Sequence, residues 1–133
     1  MQLTYLLDQL IALQSGTTYF DLHSDYELVS ALRAGTWGYL HFVKRTATWV
    51  KEPDPVHLAL VFEQVDYFEQ RAGLQLPTGI EEISFMEPDD ADVNSFMEHP
   101  TDESCHLLFR LEADHFIRIG AHISCLLTSA ASR

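Results

Sequence analysis

The first third of the chain carries two patterns of apolar positions, one with helical spacing and one that is typical of strands. Leucine and isoleucine recur mainly at helical spacing in residues 3–14, and Gly16 follows, which predicts an amphipathic helix. Residues 17–22 are β-branched and aromatic and predict a short strand. Residues 24–35 open with Ser-Asp-Tyr-Glu, a capping-box pattern, and end at a glycine, so a second helix is expected there.

The middle of the chain predicts a β-rich segment followed by the longest helix. Residues 37–50 are rich in aromatic and β-branched types and form either one bent strand or a hairpin with Lys44-Arg45 at its tip, and we favour the hairpin. Asp54 and Pro55 have the residue types of an N-cap and a first helical position, so a helix is predicted over residues 55–72. The predicted apolar face of that helix consists of Leu58, Val61, Phe62, Val65, Phe68 and Ala72.

The last third of the chain predicts mostly strands. Residues 80–86 have strand composition, and residues 93–98 predict a short helix inside an acidic stretch. Two apolar runs, 105–111 and 115–119, flank Glu-Ala-Asp and predict a hairpin, and the apolar run continues at residues 123–127.

This order of elements, together with the chain length, defines the expected fold. A chain of 133 residues with 47% apolar content is long enough to bury one core, so residues 1–133 are expected to form a single domain. The mixture of helices, hairpins and single strands predicts an α+β protein. In that fold a mixed or antiparallel sheet forms one layer, and the helices pack mainly on one face of it.

The net charge of the chain is −12 and comes from one segment. Residues 52–104 hold fourteen of the 20 acidic residues and a single basic one, Arg71, and no lysine or arginine occurs between Arg71 and Arg110. Neutralising phosphates requires clustered basic residues, so a nucleic acid is not expected as a partner. No stretch approaches the ~20 apolar residues of a membrane span, and the N-terminus lacks a basic region, so neither a membrane nor a secretory signal is expected.

The remaining motifs do not predict an enzyme. Asp90, Asp92 and Asn94 have the spacing that opens a calcium loop, but Ser95 stands where the turn needs glycine and Thr101 stands where a glutamate would close the site. The seven histidines contain no His-x-x-x-His pair, and no nucleophile elbow or phosphate-binding loop occurs. The sequence therefore predicts no catalytic residue, no metal site and no cofactor. The two cysteines form no disulfide framework, and we expect a reduced, cytoplasmic protein.

The acidic segment itself is the strongest functional signal. One-signed charge with apolar residues interspersed is typical of a surface that binds a basic protein, although a solubilising loop has the same composition. We expect a protein-binding module of the immunity or antitoxin type, which occludes a basic toxin or enzyme. A dimeric secretion chaperone and a small enzyme or ligand-binding domain that uses the histidines are the alternatives. The predicted partner-binding residues are Glu87, Asp89, Asp90, Asp92, Phe96, Glu98, Asp102 and Glu103.

Overall fold

The structure is a computed structural model that describes residues 1–47, 49–50 and 54–129. Within those ranges the chain forms twelve β-strands, a 3-10 helix at Glu112–Asp114 and no α-helix. The predicted α+β fold is therefore wrong, and the described chain is nearly all β. The strands are β1 (Gln2–Leu3), β2 (Leu6–Asp8), β3 (Ala12–Ser15), β4 (Thr18–Asp21), β5 (Tyr26–Ala34), β6 (Trp37–Lys44), β7 (His57–Glu63), β8 (Tyr67–Gln70), β9 (Ile80–Met86), β10 (His106–Leu111), β11 (Phe116–Gly120) and β12 (Ile123–Thr128).

The strands form three sheets that share one core. The five-stranded sheet has the order β1-β12-β7-β6-β5, the four-stranded sheet β8-β11-β10-β9 and the three-stranded sheet β2-β3-β4. All neighbours are antiparallel except β1 and β12, which are parallel. Side chains from all three sheets meet in the core, where the rings of Phe62 and Phe109 contact edge to face with their centroids 6.4 Å apart. The two larger sheets thus face each other as a sandwich.

Residues 55–72 form β7 and β8, so the long helix predicted there is wrong. Leu58, Leu60 and Phe62 are buried, while Val61 between them is only half-buried. This alternation has the period of two that is typical of a strand with one face on the core. Leu58 and Phe62 are four residues apart. This spacing fits the strand period of two as well as the helical period of 3.6, and it therefore also produced a helical pattern.

Residues 24–35 form the long strand β5, and its irregularity explains the second wrong helix. Tyr26 and Leu28 point to the core, and the register with β6 then shifts between Leu28 and Ser30. The extra residue is a β-bulge, after which Ala31 is the next residue packed against the core. The bulge lengthens the spacing between inward residues from two to three, which resembles one turn of a helix.

Residues 3–14 form three short strands in place of the predicted first helix. β2 and β3 are joined through Gln9 and Leu10, whose φ angles are 52° and 63°. Glycine and asparagine usually occupy such left-handed positions, so the sequence gives no turn signal there. The Leu10 carbonyl accepts a hydrogen bond of 2.6 Å from the Ile83 amide, which ties this turn to β9.

Two further elements differ from the prediction, and the remaining strands agree with it. Residues 37–44 form the single strand β6, whose hairpin partner is β5 through a turn at Gly35, so Lys44-Arg45 is not a hairpin tip. Residues 93–98 contain no helix. The strands predicted over residues 17–22 and 80–86 and the β10–β11 hairpin are confirmed. No helix in the described ranges is long and apolar enough to cross a membrane.

We expect two substitutions at adjacent residues of β7 to separate the strand from the predicted helix. Leu60 points into the core and Val61 points away from it, whereas the predicted helix would bury Val61 and leave Leu60 outside its apolar face. Leu60→Ala should lower the free energy of unfolding by about 2–5 kcal/mol and Val61→Ala by less than about 1 kcal/mol. Urea denaturation measures both, and a larger loss for Val61→Ala would contradict the strand.

Candidate functional site

The segment between β9 and β10 covers the outer face of the four-stranded sheet. We call residues 87–104 the acidic loop, because they hold seven carboxylates and no lysine or arginine. Beneath the acidic loop, Met86, Leu108 and Phe116 form a second small core, against which Val93 of the loop packs. The loop also pairs with the sheet edge, since Phe85 and Met97 exchange two backbone hydrogen bonds. It is therefore an ordered layer of the protein.

The buried Arg118 on β11 anchors the first half of the acidic loop. Its guanidinium donates to the carbonyl oxygens of Asp90 (2.5 Å), Glu87 (3.0 Å) and Pro88 (3.1 Å). Its Nε donates to Nδ1 of His106, 2.9 Å away on β10. Arg118 thus binds the main chain of the loop and none of its carboxylates.

Arg110 on β10 anchors the second half of the acidic loop in the same way. One guanidinium nitrogen donates to the carbonyl of Val93 and to Oδ1 of Asn94, the latter at 3.2 Å. The guanidinium also lies over the ring of Phe96, 5.2 Å from its centroid, which is a cation–π contact. Its ion pair with Glu82 of β9 is long, at 3.7 Å. Two arginines therefore fix the loop by its backbone and one aromatic ring.

All eight predicted partner-binding residues lie in the acidic loop, and most of them face solvent. Six are exposed and the other two are half-buried. Phe96 has 39% of its surface exposed, although Arg110 covers one side of its ring. Among the described residues, the loop carboxylates form no ion pair with a lysine or arginine. The exposed residues are Asp89, Asp92, Phe96, Glu98, Asp102 and Glu103, and the half-buried ones are Glu87 and Asp90.

Several carboxylates also shape the backbone of the loop. Oδ1 of Asp90 accepts a hydrogen bond from the Asp92 amide, and Oδ1 of Asp92 accepts one from the Asn94 amide. The hydroxyl and amide of Ser104 donate to Asp102, which holds the pKa of that carboxyl below its ordinary value. These contacts are typical of Asx turns. They use one oxygen of each carboxylate and leave its charge at the surface.

A cavity of about 530 Å³ adjoins the acidic loop. Its lining includes Asp66 and His122, Pro88 and Glu103 of the acidic loop, and Met1, whose N-terminal ammonium donates to the Glu103 carbonyl. His106 reaches the cavity from β10, and its ring stacks on Tyr67 with centroids 4.8 Å apart. The acidic loop therefore also borders a concave surface to which Asp66 adds one further carboxylate.

The hydrogen bond from Arg118 determines the tautomer of His106. Since Nδ1 accepts from the Arg118 Nε–H, the neutral ring carries its proton on Nε2. Burial lowers the pKa of His106, the charge of Arg118 lowers it further, and Asp66 opposes the shift. Near neutral pH the ring thus offers an uncharged N–H donor.

Gly120 allows this arrangement because a larger residue would not fit. A Cβ at Gly120 would lie 2.6 Å from Nε2 of His106 and 2.7 Å from Oδ1 of Asp66, closer than real Cβ contacts. The Asp66 amide also donates to the Gly120 carbonyl at 3.0 Å. Glycine at the end of β11 therefore brings the imidazole and the carboxylate together.

Sequence analysis identified the acidic loop but missed the residues that hold it. The sequence does contain a feature that marks these residues. Arg110 and Arg118 are each the one charged residue in an otherwise apolar strand, Leu-Leu-Phe-Arg-Leu and Phe-Ile-Arg-Ile-Gly. A charge in a buried strand requires partners, so such an arginine indicates an anchor. Among the described residues, no group of three or more histidine, cysteine or acidic side chains is arranged to hold a metal ion.

We expect Arg118 to be one of the most sensitive positions of the protein. Arg118→Leu leaves Nδ1 of His106 and three loop carbonyls without their donor, and each unsatisfied buried group costs about 1–3 kcal/mol. The free energy of unfolding should fall by at least ~3 kcal/mol, and the amides of Asp92 and Asn94 should exchange faster with deuterium. Arg71→Leu is the control, because Arg71 is exposed and its guanidinium lies over the ring of Phe116, 5.8 Å from the ring centroid. Equal losses for both variants would contradict the anchor.

The lowered pKa of His106 predicts a pH dependence of stability. In the unfolded chain this histidine takes a proton near pH 6.5, but in the folded protein it resists protonation. Its contribution to stability is therefore complete above pH 6.5 and is lost as the pH falls below that value. His106→Asn keeps an acceptor for Arg118 but does not titrate, so the free energy of unfolding should fall less for this variant than for wild type between pH 7.5 and 5.5. A His106 ring that titrates above pH 6.5 by NMR would contradict the prediction.

The chain was also compared with known proteins. No protein-family model, curated protein or solved structure matches it. A function for the acidic loop and its cavity must therefore be argued from their own geometry and charge.

Proposed function

We propose that the protein is a small binding module whose acidic loop engages a basic protein, as an immunity-type inhibitor does when it occludes a toxin or enzyme. One observation carries this proposal. Arg110 and Arg118 hold the acidic loop by its main-chain carbonyls, so the positive charge that orders the loop is not paired with the loop carboxylates. These two guanidiniums leave the seven loop carboxylates unpaired, and five of the seven are exposed.

The electrostatic cost of the loop supports this function over simple solubility. Like charges held close together repel each other and oppose folding. A flexible acidic segment would reduce that cost by spreading out, whereas this loop is fixed by the buried Arg118, by the half-buried Arg110 and by pairing with β9. Ordered carboxylates can match the positions of basic groups on a partner, and they raise the association rate at low salt.

The acidic loop also exposes an apolar side chain among its carboxylates. Phe96 exposes 39% of its surface beside the carboxylates, and Arg110 holds its ring from beneath. Aromatic residues with a fixed orientation are common anchors in protein interfaces, because they lose little conformational entropy on binding.

The proposed compartment is the cytoplasm. Cys105 is buried and Cys125 is half-buried, and both are free thiols. Free thiols are typical of a reducing compartment.

Two charge-reversal variants test the proposed function. The loop variant combines Asp89→Lys with Glu98→Lys, both exposed and without a hydrogen bond to the described main chain. The control variant combines Glu112→Lys with Asp114→Lys at the turn between β10 and β11, and it changes the net charge by the same amount. Each protein is immobilised and exposed to the cation-exchange-bound protein fraction of its native host, and retained proteins are identified by mass spectrometry.

We expect wild type and the control variant to retain the same basic protein and the loop variant to lose it. Affinity for this protein, once purified, should fall at least tenfold between 50 and 300 mM salt, since the Debye length shortens over that range. Binding should also inhibit any enzymatic activity of the partner. Equal retention by all three proteins, or affinity that does not depend on salt, would contradict the proposal. An exported, unfolded client in the retained fraction would favour the secretion chaperone.

A further inference from the structure

The imidazole of His106 presents an unpaired donor to the cavity beside the acidic loop, and we call this space the His106 cavity. Only 6% of the His106 surface is exposed, and the hydrogen bond from Arg118 to Nδ1 keeps the proton of the neutral ring on Nε2. Within the described part of the chain Nε2 forms no hydrogen bond, although the ring lines the cavity. Buried N–H groups normally have an acceptor, so this donor is available to a ligand.

The carboxylate of Asp66 faces the same small space as Nε2 of His106. A Cβ at Gly120 would lie 2.6 Å from Nε2 and 2.7 Å from Oδ1 of Asp66, so the two atoms are neighbours on either side of the glycine. The Asp66 amide donates to the Gly120 carbonyl at 3.0 Å, which fixes the backbone that carries the carboxylate. Among the described residues, the Asp66 side chain forms no ion pair. The cavity therefore holds a donor and an acceptor side by side.

This pair of groups selects a neutral ligand. An ionised carboxylate only accepts hydrogen bonds, so it would bind Nε2–H of His106 but would be repelled by Asp66 and Glu103. An amidinium or ammonium only donates, so it would bind Asp66 and leave the buried N–H of His106 without an acceptor. Asp66 is exposed, and exposed ion pairs contribute little, whereas a buried donor without a partner is costly. The Met1 ammonium, which also lines the cavity, already donates to the Glu103 carbonyl.

We propose that the His106 cavity binds a small molecule through a primary carboxamide group. The carboxamide oxygen accepts from Nε2–H of His106, and the carboxamide N–H donates to Asp66. A carboxamide carries these two functions on separate atoms in one plane, whereas a hydroxyl must share a single oxygen between both bonds. The volume of about 530 Å³ suits a small molecule, and Pro88, Ala121 and Ile123 supply apolar lining for the rest of it. The proposal does not depend on the function proposed for the acidic loop.

Four benzene derivatives of similar size test the proposal, because they differ only in the group that would meet His106 and Asp66. Benzamide, benzoate, benzamidine and benzyl alcohol are each titrated into the ¹⁵N-labelled full chain at pH 7.5. Long-range ¹H–¹⁵N spectra follow the Nε2 resonance of His106. We expect benzamide to shift this resonance with a dissociation constant on the order of 1 mM, as suits a ligand of this size. The other three should bind at least about fivefold more weakly, because each leaves one of the two protein groups unpaired or shares one oxygen between them.

Three variants identify the protein groups that bind the carboxamide. Asp66→Ala should weaken benzamide binding at least about fivefold and strengthen benzoate binding, because it removes both the acceptor and the repulsion. Asp89→Ala is the matched control, since Asp89 is exposed and does not line the cavity, and it should change neither affinity. Gly120→Ala should abolish binding of all four probes, because the added methyl occupies the space between Nε2 and the carboxylate. If Gly120→Ala does not fold by circular dichroism, Asp66→Ala alone decides the outcome.

Three results would overturn the proposal. The first is a His106 resonance that 20 mM benzamide leaves unchanged, which means that the cavity holds only water. The second is tighter binding of benzoate, benzamidine or benzyl alcohol than of benzamide. The third is equal affinity of benzamide for wild type and for Asp66→Ala. Capture of a basic protein by the acidic loop is measured separately, so the two proposals fail independently.

Discussion

The guanidinium of Arg118 is the interaction on which the candidate site depends. It lies on the outer face of the four-stranded sheet, where the acidic loop covers it and supplies three carbonyl acceptors for its hydrogen bonds. The acidic loop carries seven like charges, whose repulsion opposes its packing on the sheet. The hydrogen bonds from Arg118 to the loop carbonyls offset this repulsion. Each therefore offsets the cost of the other, and the same guanidinium fixes the tautomer of His106 beside the cavity. Stability and surface chemistry are coupled through one side chain.

The sandwich separates two surfaces of opposite character. One outer sheet face is covered by an ordered, strongly acidic layer, and the other exposes the large apolar residues Leu32, Tyr39 and Leu127. Their separation by the thickness of the core means that contacts on one side do not alter the charge on the other.

Some of this architecture could be predicted from the sequence, and the failures have physical causes. The β10–β11 hairpin was predictable because two apolar runs flank a polar turn, and the acidic loop because its composition is distinct. The helix over residues 24–35 failed because a bulge changed the spacing of inward residues from two to three. The helix over residues 55–72 failed because apolar residues occupy both faces of β7. The anchors of the loop were missed because their partners are carbonyls, which every residue has.

Parallel pairing of β1 with β12 brings Gln2 beside Ile123, and this has a consequence for the folding of the chain. The edge of the five-stranded sheet closes only when residues about 120 positions apart in the sequence meet. Such a contact requires closing a very long loop, whose entropic cost grows with the logarithm of its length. Topologies dominated by distant pairings fold in milliseconds to seconds, more slowly than helical proteins of the same size. During synthesis, the partner strand of β1 therefore exists only after about 120 further residues have been made.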